Sequence, residues 1–404
     1  MRSFPIVSAM CLLCLLGNGL GQLPPGTVPV APGRVALNVF FPPTDPHHPD
    51  YAAMQKYLLN KSAPAFPYID GAVIRLDWSD FDLGDVGTGT HTRYDFRLDD
   101  EAIAPWVTAG KTVNLVLHTT PYANSHCPRS GLGSRGMQDI GNCAMPPWMW
   151  TALGTSNYTN CDDAQVPNYL SPTFQTNYKE AIKALIDHYA SNSSIGYIRI
   201  GLGKGGEINL PKGWNEPSTA CGQAYKKWGY TIGSSEKYTW NAYLKQMLEF
   251  EGSLNSAKML MVTLTPVRAP GVSPEQVSHF IAPVAVKNRI GLGHQGLSAQ
   301  SIEDCNGPQV GWCDVFARMS GKVPLESQTL GRSCPQGVGQ CGSVWITNTT
   351  GRLPPLIPFA IKNHATILEI YCEDWLIAFD PEHPDNRRFG ADYALAIKQA
   401  NAGK

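Results

Sequence analysis

The chain has 404 residues, of which 43% are hydrophobic and 16% are charged, and its formal net charge is -1. This composition can bury a large core and argues against disorder. It has no basic excess that would attract nucleic acid or an anionic membrane, so we expect neither as a partner.

The N-terminal segment has the pattern of an export signal. Arg2 supplies a positive start, residues 10–16 are apolar, and residues 19–21 are small enough to be cleaved before Gln22. The apolar run is shorter than the ~20 residues that span a bilayer. We therefore expect a signal peptide over 1–21, an irregular Pro/Gly-rich lead-in over 22–33, one domain over 34–404, and a secreted protein, either extracellular or periplasmic.

Short apolar runs alternate with helical segments from residue 35 onward, and such runs are typical of strands covered on both faces. The predicted strands cover 35–41, 72–76, 113–117, 195–202, 259–264, 290–293, 323–327 and 366–371. The predicted helices cover 51–59, 101–109, 172–189, 238–251, 274–286, 310–319, 355–364 and 391–400. Eight such units predict the α/β class and a closed (β/α)₈ TIM barrel, in which no edge strand is left unpaired.

Nine cysteines follow the expected signal, and eight of them fall in segments rich in Gly, Pro and Ser, as in disulfide-stapled exported proteins. Local pairing predicts Cys127–Cys143, Cys305–Cys313 and Cys334–Cys341 and leaves Cys161–Cys221, although spacing alone does not fix connectivity. Cys372 lies in a predicted apolar strand and is expected to be a buried free thiol. No paired Cys-x₂-Cys spacing indicates zinc, and we expect no metal or cofactor.

Polar and aromatic residues gather at the predicted strand exits, where the active sites of barrels lie. Glu207 follows the fourth strand and a glycine stretch, and Glu326 closes the run 323–326 of the seventh. The predicted substrate-binding residues are Arg75, Asp77, Trp78, His118, Tyr122, Asn209, His294, Gln328 and Trp375. For Arg75, pairing with a helix carboxylate outside the barrel is an equal alternative, and for the tryptophans the alternative is ordinary packing.

The two glutamates resemble those of the large clan of (β/α)₈ retaining glycoside hydrolases. The resemblance implies that Glu207 is the general acid/base, that Glu326 is the nucleophile, and that Trp375 forms the floor of a sugar subsite. It also implies an oligo- or polysaccharide substrate, and a monomer is favoured.

One position departs from that clan, because many members have Asn directly before the acid/base where this chain has Gly206. The segment 201–211 also resembles the strand-four region of β-amylases, which are inverting barrel enzymes. An inverting glycosidase with Glu326 as base therefore stays open, as does a barrel that binds carbohydrate without cleaving it. Gly201, Gly203 and Gly206 match a dinucleotide fingerprint, but a loop with Pro211 follows instead of a helix.

Overall fold

The structure is a computed structural model that describes residues 35–44, 46–84, 93–120, 144–161, 164–298, 301–302, 305, 311–329 and 353–402. The expected signal peptide and lead-in lie outside the described residues. So do Tyr122 and the predicted pairs Cys127–Cys143 and Cys334–Cys341.

Eight parallel strands form one closed barrel, as the alternating pattern predicts. The strands are β1 (Ala36–Phe40), β2 (Gly71–Asp77), β3 (Thr112–His118), β4 (Ile195–Ile200), β5 (Met259–Leu264), β6 (Gly291–Leu297), β7 (Leu325–Thr329) and β8 (Ile367–Tyr371). Each strand pairs with the next in sequence, and β8 pairs with β1 to close the ring. The fold is therefore a single-domain TIM barrel.

One long helix or helical segment follows each strand and covers the outside of the barrel. The helices are α1 (Tyr51–Met54, continued as a π-helix over Gln55–Leu59), α2 (Arg97–Thr108), α3 (Pro172–Tyr189), α4 (Thr239–Ser253), α5 (Gln276–Lys287), α6 (Gly311–Met319), α7 (Leu353–Lys362) and α8 (Ala391–Asn401). None of the helices in the described ranges is long and apolar enough to cross a membrane.

The βα loops contain further elements that the sequence pattern does not predict. They are the short helices Trp78–Phe81, Pro147–Leu153, Ala220–Lys227 and Cys372–Phe379, and a hairpin of Tyr158–Cys161 with Ala164–Pro167. These segments are too short for a periodic pattern to distinguish them from loop.

The core has two parts, one between the strands and the surrounding helices and one inside the barrel. The inner apolar cluster consists of Ala36, Phe40, Val73, Val116, Tyr197, Met259, Met261 and Ile367. Successive side chains of a strand point to opposite faces, so Arg75 and Asp77 share the inward face with Val73, and His118 shares it with Val116. The inner face thus changes from apolar to polar toward the C-terminal ends of the strands.

Two of the predicted disulfides are confirmed. Cys161–Cys221 joins the hairpin to the helix Ala220–Lys227, and Cys305–Cys313 joins Cys305 to the first turn of α6. Cys372 is a buried free thiol, as predicted. It begins a helix rather than lying in a strand, because β8 ends at Tyr371.

The seventh strand lies two residues later than predicted, at Leu325–Thr329 instead of 323–327. Proline has no N–H for the ladder and is tolerated only at the start of such a strand, so pairing begins after Pro324. Glu326 is therefore the second residue of β7 and not its exit. Gln328 takes the next inward position toward the mouth.

Loss of Cys161–Cys221 should destabilise the protein more than loss of Cys305–Cys313, because their sequence separations are 60 and 8 residues. Chain entropy alone predicts costs of about 4 and 2.5 kcal/mol for such loops. Thermal unfolding of the two double Cys→Ser variants measures the difference. Equal melting temperatures, or a lower one for the Cys305/Cys313 variant, would contradict the expectation.

Candidate active site

The loop that carries Glu207 is held over the barrel mouth by hydrogen bonds to both neighbouring strands and their extensions. Gly201 N donates to Leu117 O at 3.0 Å and Gly205 N to Thr120 O at 3.2 Å, on the β3 side. Ile208 N donates to Thr263 O of β5 at 3.2 Å. The backbone on each side of Glu207 is thus fixed, which limits the positions that its carboxyl can take.

Glycines allow this loop to pack closely. A Cβ on Gly203 would lie 2.3 Å from the carbonyl oxygen of Asn209, whose own position is fixed because that oxygen accepts from Lys204 N at 2.9 Å. Gly206 has a φ of 77°, and a Cβ there would lie 2.5 Å from Nε2 of His118. A side chain at 206 would therefore displace the His118 ring, which gives a physical reason for the departure from Asn at this position.

Glu207 is almost completely buried, with 3% of its surface exposed. Burial raises the pKa of its carboxyl to about 8, although a hydrogen bond from Thr265 and the charges of Arg199 and Lys204 act in the opposite direction. A carboxyl with this pKa is mostly protonated at neutral pH. Glu207 is therefore able to donate a proton.

Glu326 lies inside the barrel and is paired with a buried arginine. Arg199 of β4 donates from Nη1 to Glu326 Oε2 at 2.9 Å and from Nη2 to Glu369 Oε2 at 3.0 Å, and all three side chains are fully buried. Tyr197 OH donates to the other oxygen of Glu369. Space for the Glu326 carboxylate comes from Gly293, where a Cβ would lie 2.3 Å from Glu326 Oε2.

Arg199 links these residues electrostatically. Burial and the negative charge of Glu369 raise the pKa of Glu326, and Arg199 lowers it. The same guanidinium also lowers the pKa of Glu207. Glu207 and Glu326 therefore lie within the field of one cation, on the loop after β4 and on the inner face of β7.

The ends of β2 and β3 add polar groups to the same interior. Arg75 bonds to Asp77 through Nε at 2.8 Å, so its partner is inside the barrel and not on an outer helix. Burial, followed by the charges of Arg75 and Arg199, keeps the pKa of His118 well below its usual value. Within the described ranges neither ring nitrogen of His118 has a hydrogen-bond partner. A neutral imidazole is thus available to a ligand at the mouth.

Three predicted binding residues lie away from this interior. Trp78 packs against Trp148 and Tyr178 and donates from Nε1 to Asp82, with no surface exposed. Its position follows from a helix that begins directly after β2 and turns the ring outward. The tryptophan is part of the outer core, the alternative given above.

Trp375 and His294 also lie away from the barrel interior. Helix geometry is the reason for Trp375, and strand parity is the reason for His294. Trp375 is the fourth residue of the helix Cys372–Phe379, is fully buried, and stacks near Phe379 one turn later, so it offers no platform at the mouth. His294 alternates with the inward Gly293 and stacks on Trp312 of α6 at 4.2 Å between ring centroids, outside the barrel.

Sequence reasoning missed Arg199, Glu369 and Tyr197. Arg199 interrupts an otherwise apolar strand, and Glu369 does the same in β8, with Leu368 and Ile370 on either side. A buried charge needs a counter-charge, so an isolated charged residue within a buried strand is the signal that identifies such positions. Within the part of the chain that is described, no group of three or more His, Cys, Asp or Glu side chains is placed to hold a metal ion.

Replacing Glu207 by Gln should stabilise the protein increasingly as the pH rises. The pKa of Glu207 is about 8 in the folded protein and 4.5 in the reference state, so between these values the unfolded chain binds fewer protons and stability falls with pH. At pH 7 the difference is roughly 3 kcal/mol, from about 1.4 kcal/mol for each pKa unit.

Denaturant unfolding of wild type and Glu207→Gln at about pH 5 and pH 7.5 measures this gain. Glu249→Gln, at a half-exposed site on α4, is the control for loss of one surface charge. If the stability gain of Glu207→Gln is the same at both pH values, the carboxyl is not held protonated.

No family model and no curated protein matches the chain. Among solved structures, the catalytic domain of a β-amylase from Paenibacillus polymyxa has a TM-score of 0.53 and 11% identity, over 91% of this chain and 99% of that chain. An endo-β-1,4-mannanase from Thermotoga petrophila has a TM-score of 0.47 and 12% identity, over 92% of this chain and 77% of that one. At this identity the likeness to the β-amylase domain establishes the (β/α)₈ fold.

Proposed function

We propose that the protein is a glycoside hydrolase that acts on an oligo- or polysaccharide. The observation that carries the proposal is a buried Glu207 at the barrel mouth, whose pKa burial raises to about 8, with Glu326 on the inner face of the same barrel against Arg199. Cleavage of a glycosidic bond needs one carboxylic acid and one carboxylate. Glu207 has no ion-pair partner among the described residues, whereas Glu326 bonds to a guanidinium that favours its carboxylate form.

In this proposal Glu207 protonates the leaving oxygen. Its burial supplies the raised pKa that a general acid needs near neutral pH. Glu326 acts as the nucleophile on the anomeric carbon, with the Arg199 guanidinium favouring its ionised form. A covalent glycosyl-enzyme forms, and water then releases the sugar with Glu207 acting as base, so the configuration is retained.

The substrate contacts come from the polar groups around these glutamates. Asp77, His118 and Gln328 are inward residues at or near the strand ends. The amide oxygen of Gln328 has no partner among the described residues, as for the His118 ring nitrogens. Sugar hydroxyls need donors and acceptors of this kind, and a neutral imidazole can serve as either.

A second candidate mechanism is inversion, in which Glu326 activates a water molecule. The depth of Glu326 favours it, because this residue lies three positions before the last residue of β7 and is fully buried. An inverting pair leaves about 6.5–9.5 Å between carboxyls for a water, whereas a retaining pair is about 5–5.5 Å apart. The fold likeness to a β-amylase adds α-glucans to the substrates to be screened.

Glu326→Gln should reduce turnover by a factor of about 10³ or more on every substrate, since both mechanisms need its carboxylate. Glu207→Gln should lose activity on natural polysaccharides and keep more on aryl glycosides with good leaving groups, which need little protonation. A panel of nitrophenyl glycosides and polysaccharides, including α-glucans, identifies the substrate, and NMR of the first-formed sugar gives its configuration.

Glu249→Gln is the matched control and should keep wild-type rates, because its side chain is half exposed on α4. If the first-formed sugar has inverted configuration, Glu326 acts as a base and not as a nucleophile. Full activity in either Glu207→Gln or Glu326→Gln would refute the assignment of the two glutamates. Binding of a polysaccharide without any turnover would favour the carbohydrate-binding alternative.

We also propose that the protein is exported, on the basis of its N-terminal segment and the two disulfides. Export should remove residues 1–21, because small residues precede Gln22. N-terminal sequencing of the protein secreted by an expression host should therefore begin at Gln22. A protein that stays inside the cell with Met1 in place would contradict the prediction.

A further inference from the structure

We propose that Glu369 is a positioning residue that shares Arg199 with Glu326 and so sets the pH range in which Glu326 works as a carboxylate. This inference rests on the proposed function, because it concerns the same carboxylate. It adds a residue and a regulatory role that the pairing of Glu207 with Glu326 does not contain.

The geometry divides one guanidinium between two carboxyls. Arg199 uses Nη1 for Glu326 at 2.9 Å and Nη2 for Glu369 at 3.0 Å. The guanidinium carbon also lies 5.7 Å from the ring centre of Phe40, so the cation rests over an aromatic face inside the barrel. With all three side chains fully buried, Arg199 can move toward one glutamate only by weakening its bond to the other.

The two carboxyls have unequal numbers of donors. Glu369 accepts from Arg199 at one oxygen and from Tyr197 OH at the other. Glu326 accepts from Arg199 at Oε2, and its Oε1 has no partner within the described ranges. Hydrogen bonds to a carboxylate favour its ionised form, so Glu369 is the better stabilised anion and Glu326 the better proton acceptor.

The charge balance then links the two residues. One cation between two ionised carboxyls leaves an excess negative charge among fully buried side chains, which burial disfavours. Burial and the charge of Glu369 accordingly raise the pKa of Glu326. While Glu369 is ionised, Glu326 loses its proton only at a higher pH than it would beside Arg199 alone.

Other titratable groups face the same interior and act on the network together with Glu369. These are Arg75 and Asp77 on β2, His118 on β3, Tyr197 and Arg199 on β4, Glu207 on the loop after β4, and Tyr371 on β8. Glu369 and Glu326 bond to the same guanidinium, so a change at Glu369 alters the one hydrogen bond that the Glu326 carboxylate makes among the described residues.

Glu369→Gln is the test, with kcat/KM measured against pH on the aryl glycoside that wild type cleaves best. The variant removes the negative charge of residue 369, so Arg199 interacts with Glu326 as its one carboxylate. The pKa of Glu326 should then fall, and the acid limb of the profile should move to lower pH by about one unit. Tyr197→Phe keeps both carboxyls but removes a donor from Glu369, and it should move the limb in the same direction by less.

The matched control is Glu251→Gln, a buried carboxyl on α4 whose two oxygens have no hydrogen-bond partner among the described residues. It should leave the acid limb in place. If Glu369→Gln does not fold, Tyr197→Phe carries the test. A fall in kcat with an unmoved acid limb in both variants would overturn the proposal, because a purely structural role predicts that result.

Infrared titration of the protonated carboxyl band separates this inference from the proposed function, since it needs no turnover. The component of the band that disappears in Glu326→Gln should titrate at lower pH in Glu369→Gln than in wild type. An inactive wild-type protein with this shift would refute the glycosidase and leave the network intact. An active protein without the shift would refute the role of Glu369.

Discussion

The interior of the barrel depends on one buried cation, the guanidinium of Arg199. Taking an arginine out of water costs several kcal/mol unless it is paired and hydrogen-bonded, and removing one partner of a buried pair typically costs ~3–5 kcal/mol. Arg199 therefore requires the carboxyls of Glu326 and Glu369 across the barrel. Position 293 must also be glycine, because a side chain there would occupy the space of the Glu326 carboxylate.

The position of Glu207 depends on a different constraint, which is close backbone packing. The loop 201–211 uses glycine where it touches the carbonyl of Asn209 and the ring of His118, and its amides bond to β3, to the segment after it and to β5. This packing excludes water from the carboxyl. The raised pKa of Glu207 is thus a consequence of the way the glycines bring the loop down onto the mouth.

The fold could be predicted from sequence because each strand and helix has a local pattern, and β5 and α3 begin and end where predicted. The site could be predicted only in part. Pairing of β7 begins after Pro324, two residues later than predicted, so Glu326 lies within the strand and not at its exit. A helix begins directly after β8, and its geometry places Trp375 in the core. Strand parity placed His294 on the outer face. The pairs of Arg199 join residues 127 and 170 positions apart, which no local pattern indicates.

Burial raises the pKa of both glutamates in the barrel, and their different hydrogen-bond donors oppose that rise to different extents. Glu207 has a hydroxyl nearby and is otherwise desolvated, so it keeps its proton at neutral pH. Glu326 is desolvated even more completely, but it faces a guanidinium that favours its charge. If Arg199 bonded to Glu326 alone, the pKa of that carboxyl would be lower than it is beside an ionised Glu369, although burial would still raise it. Because Arg199 also donates a hydrogen bond to Glu369, the ionisation of Glu326 depends on the charge of a residue on the neighbouring strand.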